Sequence, residues 1–192
     1  RYFLLREVPF GQDGAFSEEA ITKRLESDLA NDLGNLVHRT LSMIERYCQS
    51  VVPPLGAVGC AVEDEPLKQE ATTLATRVQP AMEALNFSQV LEMIFALVSH
   101  ANRYIESQTP WQLAKDAAMR SRLETVLAIL AEILRIAAIV LEPFMPRVAD
   151  SIWKQLGCTG PKRLADCSRW PALAANQPIG TRTVLFPRRE AT

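Results

Sequence analysis

Asn35 and Arg39 stand four residues apart in NDLGNLVHR, within a stretch whose apolar residues recur at three and four positions. On a helix that spacing projects both side chains from one face, about 6 Å apart. An amide that donates and accepts, beside a planar guanidinium, makes paired hydrogen bonds to the edge of an unpaired nucleobase, and a wrong base leaves those groups unsatisfied. Gly34 next to them removes bulk. Trp111 follows Thr109 and Pro110 at the opening turn of a short helix. There an indole can stack on an unpaired base, worth about 1 to 3 kcal/mol per base by truncation. Taken singly, each residue has a plainer reading: a surface arginine, a structural asparagine, a tryptophan packed into a bundle. Spacing alone favours the plainer ones.

Other chemistries lack their constellations. There is no glycine-rich phosphate loop, no G-x-S-x-G and no H-E-x-x-H. Cys48, Cys60, Cys158 and Cys167 form no C-x-x-C pair and lie in no metal-ligand register with both His38 and His100, which reads as reduced thiols rather than a zinc site. The carboxylates fall on amphipathic helices and read as a solvated face. No catalytic residue is nominated. Trp153 reads as core, and Trp170 as an anchor pinning the tail to the body.

The elements that must position these residues are helices. The 192 residues are 48% hydrophobic with 8 Gly and 12 Pro, which excludes disorder and collagen. Their 21 Lys+Arg against 22 Asp+Glu, a net charge of −1, argues against a polybasic chain that holds nucleic acid by bulk charge. A specific reader with a local patch remains. The N-terminal RYFLLREVPF has no signal-peptide pattern, and Arg1 in place of Met reads as a fragment of something longer. Ser17 with Glu18 and Glu19 starts a long amphipathic path, with a break expected near Ser27 to Asn31. VVPPLGAVGC breaks the chain. A second run starts near Pro66, with Pro80 expected to kink or split it, a third follows Asn86, and Thr109 is a candidate cap before Pro110.

LETVLAILAEILRIAAIVL, from Leu123 to Leu141, is long enough to span a bilayer. Charges near a bilayer centre cost about 2.5 to 3.5 kcal/mol each, so it reads as a core helix on which Glu132 and Arg135 share one exposed strip. Gly157 can close the next helix as its C-prime residue. The fold expected is all-α: an antiparallel bundle of about five helices. A short non-helical lead-in (1–16) precedes the helical domain (17–157), and an irregular tail (158–192) packs on it.

RYFLLREVPFGQDGAFS, DLANDLGNLVHRTLSM, ANRYIESQTPWQLAKD, LEPFMPRVADSIWKQLG and VLFPRRE, in that order, closely resemble the C-terminal part of bacterial-type methionyl-tRNA synthetases. The resemblance covers essentially the whole chain. It implies a class I anticodon-binding domain whose lead-in ends the region joined to the catalytic domain. It implies that Asn35 and Arg39 read the first anticodon base, a cytosine, that Trp111 stacks on anticodon bases, and that Asn102 and Arg103 are candidate secondary RNA contacts. The implied partners are the anticodon loop of tRNA(Met) and the catalytic domain of the same enzyme, with neither membrane nor DNA, in the cytoplasm or an organelle. The complete enzyme would use ATP and Mg²⁺, with Zn²⁺ a further candidate. This chain carries neither ATP-binding signature of the family nor its zinc-knuckle cysteines, so it is expected to hold no cofactor, to contain no catalytic residue and to be inactive alone. Two other readings stand beside this one: a helical module docking on a separate catalytic chain through RYFLL, and the anticodon domain of another class I synthetase.

Overall fold

In a computed structural model, residues 1–8, 11, 17–55 and 60–187 are described. Helix α1 (Tyr2–Glu7) opens the chain. Helix α2 (Glu18–Arg24) starts where the sequence places it, with the Ser17 hydroxyl accepting from the Ala20 amide at 3.0 Å and Glu18 and Glu19 in the first turn. The path continues without a break through a π-helix (Leu25–Gly34) into α3 (Asn35–Tyr47). After the 50s turn come α4 (Glu65–Glu83), α5 (Phe87–Gln108), the short α6 (Pro110–Leu113), α7 (Arg120–Leu141) and α8 (Pro146–Gln155). The tail holds a single 3-10 turn, Leu164–Ser168, and is otherwise irregular among the described residues.

Helix α7 is the axis of the molecule. From Thr125 to Leu141 every side chain is buried, because α3, α4, α5, α6 and α8 all pack on it. Each Leu or Ile removed from water in this way contributes about 1.5 to 3 kcal/mol. No helix among the described residues is long and apolar enough to cross a membrane.

That enclosure corrects the reading of Glu132 and Arg135 as an exposed strip: they are 1% and 3% exposed. The tail covers them. Arg135 Nε donates to Glu132 Oε2 at 2.7 Å, and its two Nη atoms donate to the carbonyls of Asp166 and Arg169 at 3.0 and 2.9 Å. Glu132 Oε1 in turn accepts from the amides of Ala172 and Leu173 at 2.6 and 2.5 Å. The pair therefore latches a segment without secondary structure onto the central helix, giving its backbone the partners that a strand or helix would supply. Trp170 lies half-buried against the core in the same stretch, and Trp153 is half-buried rather than fully enclosed, with Lys162 Nζ 5.7 Å from its ring centroid.

The lead-in is also corrected: it is helical from Tyr2 to Glu7. Six residues do not hold a helix alone; this one forms because Tyr2 and Phe3 are buried and the Tyr2 ring lies 5.1 Å from Phe95 of α5. Of the RYFLL apolar face, Leu4 stays 56% exposed. Residues 9, 10 and 12–16 of the expected non-helical segment lie outside the described residues. Two smaller readings change as well. Pro80 sits inside α4 without splitting it, three residues before its end. Thr109 makes no side-chain cap and instead takes φ 42°, ψ 59°, a left-handed turn between α5 and α6.

Asp64, fully buried at the head of α4, ties three elements together. Its carboxylate accepts from the Ala61 amide (2.8 Å), from Tyr104 Oη on α5 (2.7 Å) and from both Nη atoms of Arg122 on α7 (2.6 and 2.8 Å). Burial pushes this carboxyl up, but the bonds from Arg122, Tyr104 and the Ala61 amide outweigh it, and the group ends below the usual aspartate value. A carboxyl depressed in the folded state stabilises fully above its unfolded value, near pH 4, and loses that contribution as pH falls through the folded value. Asp64→Asn should therefore be less stable than wild type by about 2 to 4 kcal/mol at neutral pH. Urea denaturation at stepped pH should show the gap closing below about pH 4.

The tail beyond the latch is pinned to α8 and to the 50s turn. Val52 N donates to Gln177 O, Asn176 N to Val52 O, Ile179 N to Ser50 O and Gly180 N to Gln155 O. Gly157 closes α8 with φ +71°, as its sequence position predicts, and a Cβ there would meet Pro178 O at 2.0 Å. The chain then runs back along α3. Arg182 bonds Ser42 Oγ at 2.6 Å and Glu45 at 2.7 Å, and Phe186 reaches Gly34.

Candidate nucleic-acid interface

Asn35 and Arg39 open α3 directly after the π-helix, on which Leu29 and Leu33 point into the core. That segment is held from α5 and α1. Asn102 Nδ2 donates to Asp32 O at 3.1 Å, Ser99 Oγ to Asp32 Oδ2 at 3.2 Å, and Tyr2 Oη to Asp28 Oδ2 at 2.6 Å. π-Helical turns are rare and often occur at functional sites; here the turn sets where the α register begins, and so the direction in which Asn35 and Arg39 project. Its carbonyls also draw on Asn102, whose Nδ2 is thereby used in the fold while its Oδ1 is buried without a partner.

Of the three candidate residues, the structure brings Arg39 and Trp111 into contact and leaves Asn35 outside it. The Arg39 guanidinium carbon lies 5.6 Å from the centroid of the Trp111 ring, a cation–π distance. The left-handed turn at Thr109 redirects the chain so that α6 lays its indole beside α3. Arg39 Nη1 also donates to Glu106 Oε1 on α5 at 2.6 Å. Glu106 is 61% exposed in its side chain and Arg39 26%, so the pair is a surface one that contributes at most about 1 kcal/mol. Asn35 is half-buried and makes no side-chain hydrogen bond to a described residue. Arg103, exposed on α5, likewise has no ion pair with a described residue. The geometry leaves an indole face and guanidinium and amide donors on one surface, which suits a planar, neutral, hydrogen-bonding ligand.

Sequence reasoning missed Glu106, which nothing in the local pattern ties to Arg39; the two lie 67 positions apart. It also missed the wall that tail residues 183–186 build beside Asn35, where a groove of about 590 Å³ opens. No group of three or more His, Cys, Asp or Glu among the described residues is arranged to hold a metal ion.

The profile described as "Anticodon-binding domain of tRNA ligase" matches residues 64–187, which include Asn102, Arg103 and Trp111. The profile described as "tRNA synthetases class I (M)" matches residues 1–41, which include Asn35 and Arg39. The chain is 46% identical over 188 residues to a methionine–tRNA ligase of Caldanaerobacter subterraneus and 40% identical over 198 residues to that of Bacillus subtilis, covering 98% and 100% of this chain. It spans 29% of the length of each of these curated relatives. Among solved structures, the apo methionyl-tRNA synthetase of Mycobacterium tuberculosis superposes with a TM-score of 0.91 at 38% identity, covering 100% of this chain and 38% of that one. The same enzyme in complex with methionyl-adenylate gives 0.91 at 39%, covering 97% of this chain and 36% of that one. The all-helical bundle, the match across two thirds of the chain and these relatives establish that the chain belongs to the anticodon-binding domain family of the tRNA ligases.

Proposed function

We propose that this chain is the anticodon-reading part of a methionine–tRNA ligase, binding the CAU anticodon loop of tRNA(Met) while the catalytic domain of the same cytoplasmic enzyme joins methionine to the tRNA with ATP and Mg²⁺. The observation that carries this reading is the Arg39–Trp111 cation–π contact, with the Asn35 amide one helical turn away and without a side-chain hydrogen bond to a described residue. An unpaired cytosine stacks on the Trp111 face. Its O2 and N3 accept from the Arg39 guanidinium, which keeps donors beyond the Nη1 used by Glu106, and its N4 amine donates to the Asn35 carbonyl oxygen. A guanine or adenine in the same place presents the wrong edge to these donors and acceptors. Arg103, exposed on the neighbouring α5, is the outer contact of this reading, while Asn102 supports the site from behind through its bond to Asp32.

Among the described residues no group of three or more His, Cys, Asp or Glu is arranged to hold a metal ion, and the part we assign to this chain is recognition. Recognition of this kind holds the loop so that the distant acceptor end can reach an active site elsewhere. One stacked base and two paired contacts sum to about 4 to 7 kcal/mol gross, and ordering the loop offsets part of it, so micromolar affinity at best is expected for the chain alone. The test is binding to stem-loops carrying CAU and GAU at one stated low salt concentration. The reading requires CAU to bind about tenfold or more tightly; equal binding of the two removes it.

A further inference from the structure

Thr109, between Gln108 and Pro110, takes φ 42° and ψ 59° against its own local preference. A β-branched residue rarely adopts that left-handed conformation, and a residue before proline prefers extended backbone. Such a conformation persists only where the surroundings over-determine it. On the far side of the turn they do. Thr109 O accepts from Gln112 N at 2.7 Å, which opens α6, Pro110 is buried, and α6 packs on α7. On the near side, Thr109 N donates to Ile105 O at 3.0 Å and closes α5.

The end of α5 is itself held from α7. Gln108 is the last residue of α5, and its Oε1 accepts from Arg122 Nη2 at 2.5 Å. Arg122 has little freedom to follow a moving partner. Its two Nη atoms donate to the fully buried Asp64 carboxylate at 2.6 and 2.8 Å, and Nη2 also reaches Glu63 Oε1 at 3.2 Å. A forked bond to a carboxylate sets the plane of the guanidinium. Tyr104 Oη, one turn before Gln108, donates to the same carboxylate at 2.7 Å. The network therefore joins α4, α5 and α7 and ends on the side chain that precedes Thr109. Three residues beyond Gln108 stands Trp111, its ring centroid 5.6 Å from the Arg39 guanidinium carbon.

We propose that Gln108, held by Arg122, is a positioning residue for Trp111: its bond locks the left-handed turn so that α6 lays the indole beside Arg39. Gln108 touches no base in this role and acts through the turn. Without the bond, Thr109 relaxes toward the extended backbone that its type and the following proline favour, and the short α6 carries the indole away from Arg39. The bond to Gln108 is separable from the rest of the network, because Arg122 keeps both of its bonds to Asp64 when Gln108 is changed. The inference rests on the anticodon reading for what Trp111 receives, but the placement of the indole is tested without RNA.

The experiment uses the whole chain labelled with 5-fluorotryptophan, whose three fluorine resonances come from Trp111, Trp153 and Trp170 and are assigned with Trp111→Phe. Gln108→Met keeps side-chain length and helix propensity but removes the acceptor. Its Trp111 resonance should broaden or move toward the position seen in the urea-unfolded chain, with the other two unmoved and the urea midpoint close to that of wild type. The CAU stem-loop should bind about three- to tenfold more weakly, part of the loss expected of Trp111→Ala, and the preference for CAU over GAU should survive through Arg39. Gln108→Glu gives Arg122 an oxygen again and should return the Trp111 resonance to its wild-type position. An unmoved Trp111 resonance in Gln108→Met overturns the proposal. So do three resonances moving together with a lowered midpoint, the result of a general structural role. If the Trp111 resonance alone moves while wild type binds CAU and GAU alike, the positioning stands and the anticodon reading falls.

Discussion

Glu132→Ala is expected to lower the unfolding free energy by about 3 to 5 kcal/mol, the largest stability effect of any single substitution proposed for this chain. The substitution leaves the Arg135 guanidinium, 4% exposed in its side chain, without a counter-charge. It also leaves the Ala172 and Leu173 amides without the oxygen that now accepts from both. Removing both ionic partners together is a different matter. In Glu132→Leu/Arg135→Met the buried charges disappear and apolar volume replaces them, so the core should recover part of the loss, although the tail amides and the carbonyls of Asp166 and Arg169 stay unpaired. Urea denaturation of the three proteins measures this. A single variant within about 1 kcal/mol of wild type would show that the latch contributes little. Limited proteolysis should report where the loss falls, with new cleavage in residues 158–187 preceding cleavage in the helices.

The second large effect concerns binding. Trp111→Ala and Arg39→Ala should each weaken the CAU stem-loop by about tenfold or more, and Arg39→Ala should also erase discrimination between CAU and GAU. Their effects should not add. The guanidinium rests 5.6 Å from the indole centroid, so truncating Trp111 removes the surface against which Arg39 lies as well as the stacking face the proposed reading gives the base, and residues in contact share their free energy. The double variant is therefore expected to lose less than the product of the two single losses. A purely structural Trp111 would predict otherwise: loss of thermal stability with the ratio of CAU to GAU binding preserved. Measuring both quantities on the same samples separates these outcomes.

Much of the architecture is written in local pattern, because helix starts, stops and faces depend on neighbours three and four residues away. Ser17 as cap, Gly157 as the left-handed close of α8, the breaker in the 50s and the apolar face of each long helix all follow from residue type and spacing. Asn35, Arg39 and Trp111 stand out as candidates from one helical turn and from a place after a proline, but local pattern favours plainer roles for them, and their reading as anticodon contacts comes from the resemblance.

What the tertiary structure decided depends on residues far apart in the chain, for which no periodicity exists. Glu132 and Arg135 look like a solvated i, i+3 pair until a tail some 30 to 40 positions away lies over them. The lead-in looks non-helical until Tyr2 meets Phe95 and Asp28. A break is expected near Ser27, where side chains from α5 and α1 instead hold the π-helical register. Local sequence determines which elements form and which faces they bury, since those energies arise within a few turns. Long-range packing determines which polar groups end up paired, which ones stay open toward a ligand and where the groove lies, because desolvation and hydrogen-bond partners are set only when distant segments meet.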